Sequence, residues 1–240
     1  MDSEPRSSET SPRRSAGDVA GHIDHTLLRA EATREQVLRV CEEAKGHGFG
    51  AVCLNGRWVS PAADRLQGTS VQVVAVASFP LGADTTAAKV AQTKDLIHAG
   101  ADEIDMVADL AAIIEGDDRY LLRQLQAVLE TCRSMKPAVL LKVIIESAAL
   151  TTDQKIFACR ACEQVGVDFI KTSTGLHPAG GATIEDVRLI RATAPRCKVK
   201  ASGGIRTAQQ ALAMLEAGAE RIGTSSGVQI MQELSEQVQP

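Results

Sequence analysis

The sequence predicts a single (β/α)8 barrel of the α/β class, and three observations lead there. From Ile23 onward, short apolar runs alternate with longer stretches of helical period, and eight such runs fit into about 200 residues. The composition suits parallel strands covered on both faces: 44% of the 240 residues are hydrophobic but only 2% are aromatic, so the core is built from small and branched aliphatics. Three helical stretches close on the same punctuation, Ala99-Gly100-Ala101-Asp102, Val165-Gly166-Val167-Asp168 and Ala217-Gly218-Ala219-Glu220. Each sets a glycine where a left-handed residue is wanted and brings in an acidic residue as the next strand begins. No G-x-G-x-x-G follows the first strand, which counts against an open dinucleotide-binding sheet.

Taken in order, residues 1–17 are rich in Ser, Pro, Arg and Glu, which predicts a disordered extension ahead of one barrel domain over 18–240. Arg13-Arg14 leads into no hydrophobic segment, so this stretch reads as neither a secretory nor a twin-arginine leader. Ile23-Asp24-His25 is the first strand. Thr33 to His47 follows with helical period behind Thr33-x-x-Gln36, an N-cap with an acceptor three residues on. Gly50 to Leu54 and Val71 to Ser78 are the apolar runs of strands two and three. Asp84 to Ala99 is helical up to Gly100, and Glu103 to Val107 is strand four. The helix Arg119 to Met135 gives way to strand five, Ala138 to Ile145. Thr151 to Val165, closed by Gly166, precedes strand six, Asp168 to Thr172. Ile184 to Ala194 starts behind Thr183-x-x-Asp186. Lys198 to Ala201 is strand seven, Thr207 to Glu216 the helix after it, and Arg221 to Gly223 strand eight.

A formal charge of −4 points away from nucleic acid or an anionic membrane as the main partner, and no apolar run reaches the roughly 18 residues of a membrane span. The six cysteines are scattered. Cys159-x-x-Cys162 lies inside a helical stretch without a second pair at zinc-site spacing, so no metal or redox role is expected. Reduced thiols in a cytoplasmic protein are the plain reading.

Barrel active sites sit at the C-terminal strand ends, so polar residues within strands carry the chemistry. These are Asp24, Cys53, Asp105, Lys142, Lys171 and Lys200. Buried lysine is rare because an apolar interior cannot replace the hydration of its ammonium. Lys171 ends strand six and Lys200 takes the corresponding place on strand seven, an amine nucleophile beside a second cation that would lower its pKa, as a Schiff-base enzyme requires. Asp105 is placed to move protons, with Lys142 beside it to hold it ionised. The turns after strands seven and eight, Ser202-Gly203-Gly204-Ile205-Arg206 and Gly223-Thr224-Ser225-Ser226-Gly227, can offer backbone N–H groups to a phosphate.

These residues resemble the deoxyribose-phosphate aldolase family. The likeness runs through Ile23-Asp24-His25-Thr26-Leu27-Leu28, Phe79-Pro80-Leu81-Gly82, Glu103-Ile104-Asp105-Met106-Val107, Leu141-Lys142-Val143-Ile144-Ile145-Glu146, Asp168-Phe169-Ile170-Lys171-Thr172-Ser173-Thr174-Gly175, Val199-Lys200-Ala201-Ser202-Gly203-Gly204 and Arg221-Ile222-Gly223-Thr224-Ser225-Ser226. It implies a class I aldolase, needing neither metal nor cofactor, that splits 2-deoxy-D-ribose 5-phosphate into D-glyceraldehyde 3-phosphate and acetaldehyde. By the same likeness, Lys171 forms the Schiff base, and Asp105 and Lys200 transfer protons. Asp24, Lys142 and Thr172 line the reacting centre, and Gly203, Gly204, Ser225 and Ser226 hold the phosphate. A homodimer is also implied, although no apolar face in the sequence specifies its interface. The chain departs from the family pattern at Gly56, where proline is common, and in the turn Leu176-His177-Pro178-Ala179-Gly180-Gly181. From the residues alone, another phosphate-binding Schiff-base barrel, such as a keto-acid-phosphate aldolase or a transaldolase-like enzyme, also fits. Cys53 reads as a small core residue near the aldehyde, His25 as a hydrogen-bonded strand-end residue and His177 as an exposed loop residue.

Overall fold

The computed structural model describes residues 16–134 and 137–236. Eight strands, Ile23–Leu27 (β1), Ala51–Leu54 (β2), Gln72–Ala77 (β3), Glu103–Val107 (β4), Leu140–Ile144 (β5), Phe169–Lys171 (β6), Lys198–Ser202 (β7) and Arg221–Thr224 (β8), pair in parallel in chain order, and β8 pairs with β1 to close the barrel. The helices are Ala16–Ala20 (α1), Arg34–His47 (α2), Val59–Leu66 (α3), Thr86–His98 (α4), Leu110–Glu115 (α5), Asp118–Ser134 (α6), Thr152–Val165 (α7), Ile184–Thr193 (α8), Ala208–Glu216 (α9) and Gly227–Glu236 (α10). This is the TIM barrel expected from the alternation of elements.

The punctuation behaves as its chemistry requires. Thr33 and Gln36 form a reciprocal capping box, and the same T-x-x-Q pattern caps α7 and α9. The Thr183 side chain accepts from the Asp186 N–H. Gly100, Gly166 and Gly218 all take positive φ, +103°, +83° and +109°. The helix α1, Ala16–Ala20, straddles the expected boundary between extension and barrel. Val19 is fully buried and α1 packs on α10. The remainder of the expected extension, residues 1–15, lies outside the described residues. Three further helices were not expected. Pro61 makes α3 look like a turn, yet proline is tolerated in a first helical turn, where no intrahelical N–H bond is lost. The six residues of α5 are too few for a visible period, and α10 follows directly on a glycine-containing turn.

The main apolar core lies between the sheet and the helices. Inside the barrel the lining is divided. Strands β2 and β3 contribute a small apolar cluster of Ala51, Cys53, Val74 and Val76, whereas β1 and β4 to β8 contribute charges. Among the described residues no helix is long and apolar enough to cross a membrane.

One buried lysine stands outside this interior. Lys89 on α4 is fully buried, and its Nζ donates to the Val107 carbonyl at 2.7 Å and to Gln124 Oε1 at 2.9 Å. Burial, only partly offset by Asp109 and Asp84, pulls its pKa down from 10.5 to about 8. The unfolded chain therefore holds this proton up to about pH 10.5 while the folded chain releases it near pH 8. The destabilising contribution is complete below pH 8 and fades between pH 8 and 10.5. Relative to a Lys89→Met variant, the native protein should thus gain roughly 3 kcal/mol across that window. Urea unfolding of both proteins at pH 7, 9 and 10.5 measures the difference. A constant gap would refute the assignment.

Candidate active site

Period-two alternation turns the charged side chains of six strands into the barrel. They meet in a closed ring of alternating sign. Asp105 Oδ1 accepts from Lys142 Nζ at 2.9 Å, and Lys142 also pairs with Glu103. Glu103 accepts from Arg221 at 3.2 Å, and Arg221 donates to Asp24 Oδ1 at 2.6 Å. Asp24 pairs with Lys200, and Lys200 returns to Asp105 Oδ2 at 2.7 Å. Lys171 stands outside the ring and touches it once, donating to the same Asp105 Oδ2 at 2.8 Å. Each of the other three cations reaches two carboxylates. Lys171 shares one.

At Asp24, Asp105, Lys200 and Arg221 burial opposes charge, yet the opposite charges outweigh it. Burial would raise the Asp105 carboxyl, but Lys142, Lys171 and Lys200 hold it well below the usual carboxylate range. Asp24 is likewise raised by burial and lowered more by Lys200 and Arg221, to about 2. Lys200 loses hydration, but Asp105 and Asp24 keep it protonated beyond the ordinary lysine range. Lys200 is therefore not the bare neighbouring cation that the lysine pair suggested: two carboxylates already partner it. Burial pushes the Cys53 thiol up, so its Sγ, 4.0 Å from Asp105 Oδ2, remains a neutral thiol.

A cavity of about 1030 Å³ opens at the C-terminal ends of the strands. Of the charged residues of the interior, Lys171 is the one that lines it, among the described residues. Phe79 covers the amine with its ring 6.0 Å from Nζ, while Leu28, Trp58, Pro80 and Leu176 form the walls. Asp24, Asp105, Lys142 and Lys200 are all 0% exposed beneath this floor. Thr172 is also sealed. Its hydroxyl donates to the Ser202 carbonyl and accepts from the Ser202 N–H, bracing β6 against β7 rather than facing the cavity.

Gly203, Gly204 and Ser225 line the far side, ahead of the N-termini of α9 and α10, and Ser226 stands immediately before α10. The backbone of Gly203 is irreplaceable there. It has φ +91°, and a Cβ would lie 2.9 Å from Gly181 Cα and 3.1 Å from Gly175 Cα. The unusual turn 176–181 is thereby packed backbone to backbone on the β7 turn. Ser226 N–H bonds to Thr224 Oγ1 at 2.9 Å, while Ser225 is exposed to the cavity.

Three contributors escaped the sequence reading. Glu103 was taken as a strand opener, but it lies two residues before Asp105 and so shares its face. Arg221 is in register with Lys200 and points inward with it. Glu146 sits at φ +53° and uses both carboxylate oxygens on Thr174, whose hydroxyl is 2.5 Å away, fixing the loop beyond Lys171. No periodic pattern marks that last residue. His25 lies outside the interior and pairs with Glu43 at 2.7 Å, and the ring of His177 accepts from the Ala179 N–H at 3.2 Å. Cys159 and Cys162 are buried in α7, where burial pushes the Cys159 thiol up to about 12.

A parallel eight-stranded barrel with a buried amine at the floor of a cavity, set over carboxylates and flanked by glycine turns at two helix N-termini, is the architecture of an enzyme that works on carbonyl compounds through an amine. Residues 19–233 match the family model of the DeoC/LacD family aldolases, and the chain belongs to that family. It is 49% identical over 216 residues to the deoxyribose-phosphate aldolase of Geobacillus sp. (strain WCH70), a match covering 90% of this chain and 95% of the relative. It is 50% identical over 211 residues to that of Streptococcus gordonii, covering 88% and 94%. Among solved structures, the tetrameric deoxyribose phosphate aldolase from Aeropyrum pernix superposes with a TM-score of 0.86 at 30% identity, covering 93% of this chain and 94% of that one.

Proposed function

We propose that this protein is a class I aldolase that reversibly cleaves 2-deoxy-D-ribose 5-phosphate into D-glyceraldehyde 3-phosphate and acetaldehyde, with Lys171 as the Schiff-base residue. The observation that carries this reading is that Lys171 combines access to the cavity with the weakest carboxylate partnership of the four interior cations. Its neutral amine attacks C1 of the open-chain aldehyde, and loss of water from the carbinolamine leaves an iminium. Removal of the C3 hydroxyl proton then breaks the C2–C3 bond. That pair of electrons moves into the enamine, releasing D-glyceraldehyde 3-phosphate. Protonation at C2 and hydrolysis release acetaldehyde and restore Lys171.

Asp105 and Lys200 are the proposed proton-transfer pair, an ionised carboxylate joined to a firmly protonated ammonium at 2.7 Å. Lys142 and Asp24 set the charge of the floor, and Thr172 holds β6 in place. Gly203, Gly204, Ser225 and Ser226 take the phosphate at the two helix N-termini, the cation-free arrangement that backbone amides supply. The iminium nitrogen is itself the electron sink, so the chemistry calls for neither metal nor organic cofactor. A homodimer and a cytoplasmic location complete the proposal.

Borohydride added during turnover of the sugar phosphate should reduce the iminium to a stable amine. Digestion and mass spectrometry should then find the adduct on Lys171. Turnover without that adduct, or an adduct on another lysine, would overturn the assignment.

A further inference from the structure

The ring of charges determines more than where side chains rest. Its three carboxylates, Asp24, Glu103 and Asp105, balance three cations, Lys142, Lys200 and Arg221, through contacts that alternate in sign all the way round. Lys171 is a fourth cation in a space holding three anions. An interior in which Lys171 is 3% exposed and the ring carboxylates 2% or less tolerates an uncompensated charge poorly, and the least costly remedy is for one amine to lose its proton. Lys142 and Lys200 would each give up contacts to two carboxylates by doing so, and Arg221 cannot be deprotonated in a protein. The remaining amine is Lys171.

We infer that Glu103 and Arg221, which touch neither Lys171 nor the cavity, are positioning residues that select Lys171 as the nucleophile by closing the ring without it. The inference rests on the Schiff-base reading of Lys171 and adds to it the origin of the free amine.

Every strand's contribution to this interior can be named. Asp24 comes from β1, Cys53 from β2, Glu103 and Asp105 from β4, Lys142 from β5, Lys200 from β7 and Arg221 from β8. Strand β3 adds only Val74 and Val76 to the interior cluster, and Cys53 is held as a neutral thiol. At the mouth, Glu146 is engaged with Thr174 and His25 with Glu43. The charge count therefore closes on the six residues of the ring and Lys171.

The test uses opposite changes to that count. Glu103→Gln raises the surplus from one positive charge to two, so the acid limb of kcat/KM for 2-deoxyribose 5-phosphate should move down by about one pH unit. Arg221→Met removes the surplus, leaving three lysines facing three carboxylates, so the limb should move up by about one unit, with activity recovering at alkaline pH. Arg221→Lys keeps the count and should hold the limb near its native position. The double variant Glu103→Gln/Arg221→Met also keeps the count at one, and it removes a buried pair together, a change that proteins commonly tolerate. Its limb should return to the native position. A residue needed only for folding would lower activity without moving the limb, and would not move it in opposite directions. Limbs that stay put or shift the same way in both single variants overturn the inference. If the single variants do not fold, a displaced limb in the double variant or in Arg221→Lys does so. Borohydride trapping of native Lys171 separates the two failures: trapping without limb shifts removes this inference alone, whereas no trapping removes the reading beneath it.

Discussion

Lys171→Met is expected to abolish turnover, with kcat/KM falling at least about 10⁴-fold, while making the protein more stable to urea. The two effects share one cause. In the proposed mechanism the amine supplies the covalent step, and methionine has no nucleophilic nitrogen to replace it. Yet the same amine is the cation that the alternating ring leaves over, held by one oxygen of a carboxylate that Lys200 already uses. Methionine nearly matches lysine in length and fills its path beside Phe79 without bringing charge. The interior of the variant then has three carboxylates against three cations. Stabilisation of about 1–2 kcal/mol is expected because the folded variant no longer has to hold a surplus charge, or strip a proton from an amine, at a position only 3% exposed. Lys171→Arg, by contrast, should lose activity equally without the gain, since guanidinium keeps the surplus charge. Urea denaturation at pH 7 beside an assay for acetaldehyde release reads both quantities. Destabilisation of Lys171→Met would contradict the charge count.

How much of this was legible before folding depends on the kind of signal. All eight strands were readable because each is a short apolar run between punctuated helices, and the glycines at 100, 166 and 218 mark their turns chemically. Lys171, Lys200, Lys142, Asp105 and Asp24 stood out for the same reason: a charge in an apolar run contradicts its neighbours. Glu103 and Arg221 were hidden because they occupy the first positions of β4 and β8, where a charge looks like an ordinary strand end. Only closure of the barrel, bringing β8 beside β1 and both across from β4, shows that these ends point inward and meet. The function of Thr172 is a parallel case. Its neighbour Lys171 faces the cavity, so alternation turns Thr172 away, toward Ser202. The conformation of Glu146 depends on the loop it supports, and no local pattern encodes it.

Asp105→Asn should have the opposite effect on stability and the same direction of effect on activity. This carboxylate receives Lys142 on one oxygen and Lys171 and Lys200 on the other. An amide keeps one acceptor oxygen but turns an N–H2 group toward ammonium donors, and the interior surplus rises from one positive charge to two. Removing one member of a buried charge network typically costs about 3–5 kcal/mol, so the variant should unfold at markedly lower urea. Activity should fall by about 10²–10⁴-fold with the loss of proton transfer at the reacting carbon. The pH dependence identifies the cause. A carboxyl held below its ordinary value of 3.8 contributes stability that is fully present above about pH 4 and is lost as pH falls through its folded value. The gap in unfolding free energy between native and Asp105→Asn proteins should therefore be smaller at pH 3 than at pH 5, shrinking as the pH falls below about 4. Asp24, with its folded value near 2, remains in both proteins and cancels from the difference. A gap that persists undiminished at pH 3 would mean that the aspartate acts through shape rather than charge. Taken with Lys171→Met, the pair distinguishes the two sides of the same contact: removing its cation should strengthen the fold, and removing its anion should break it.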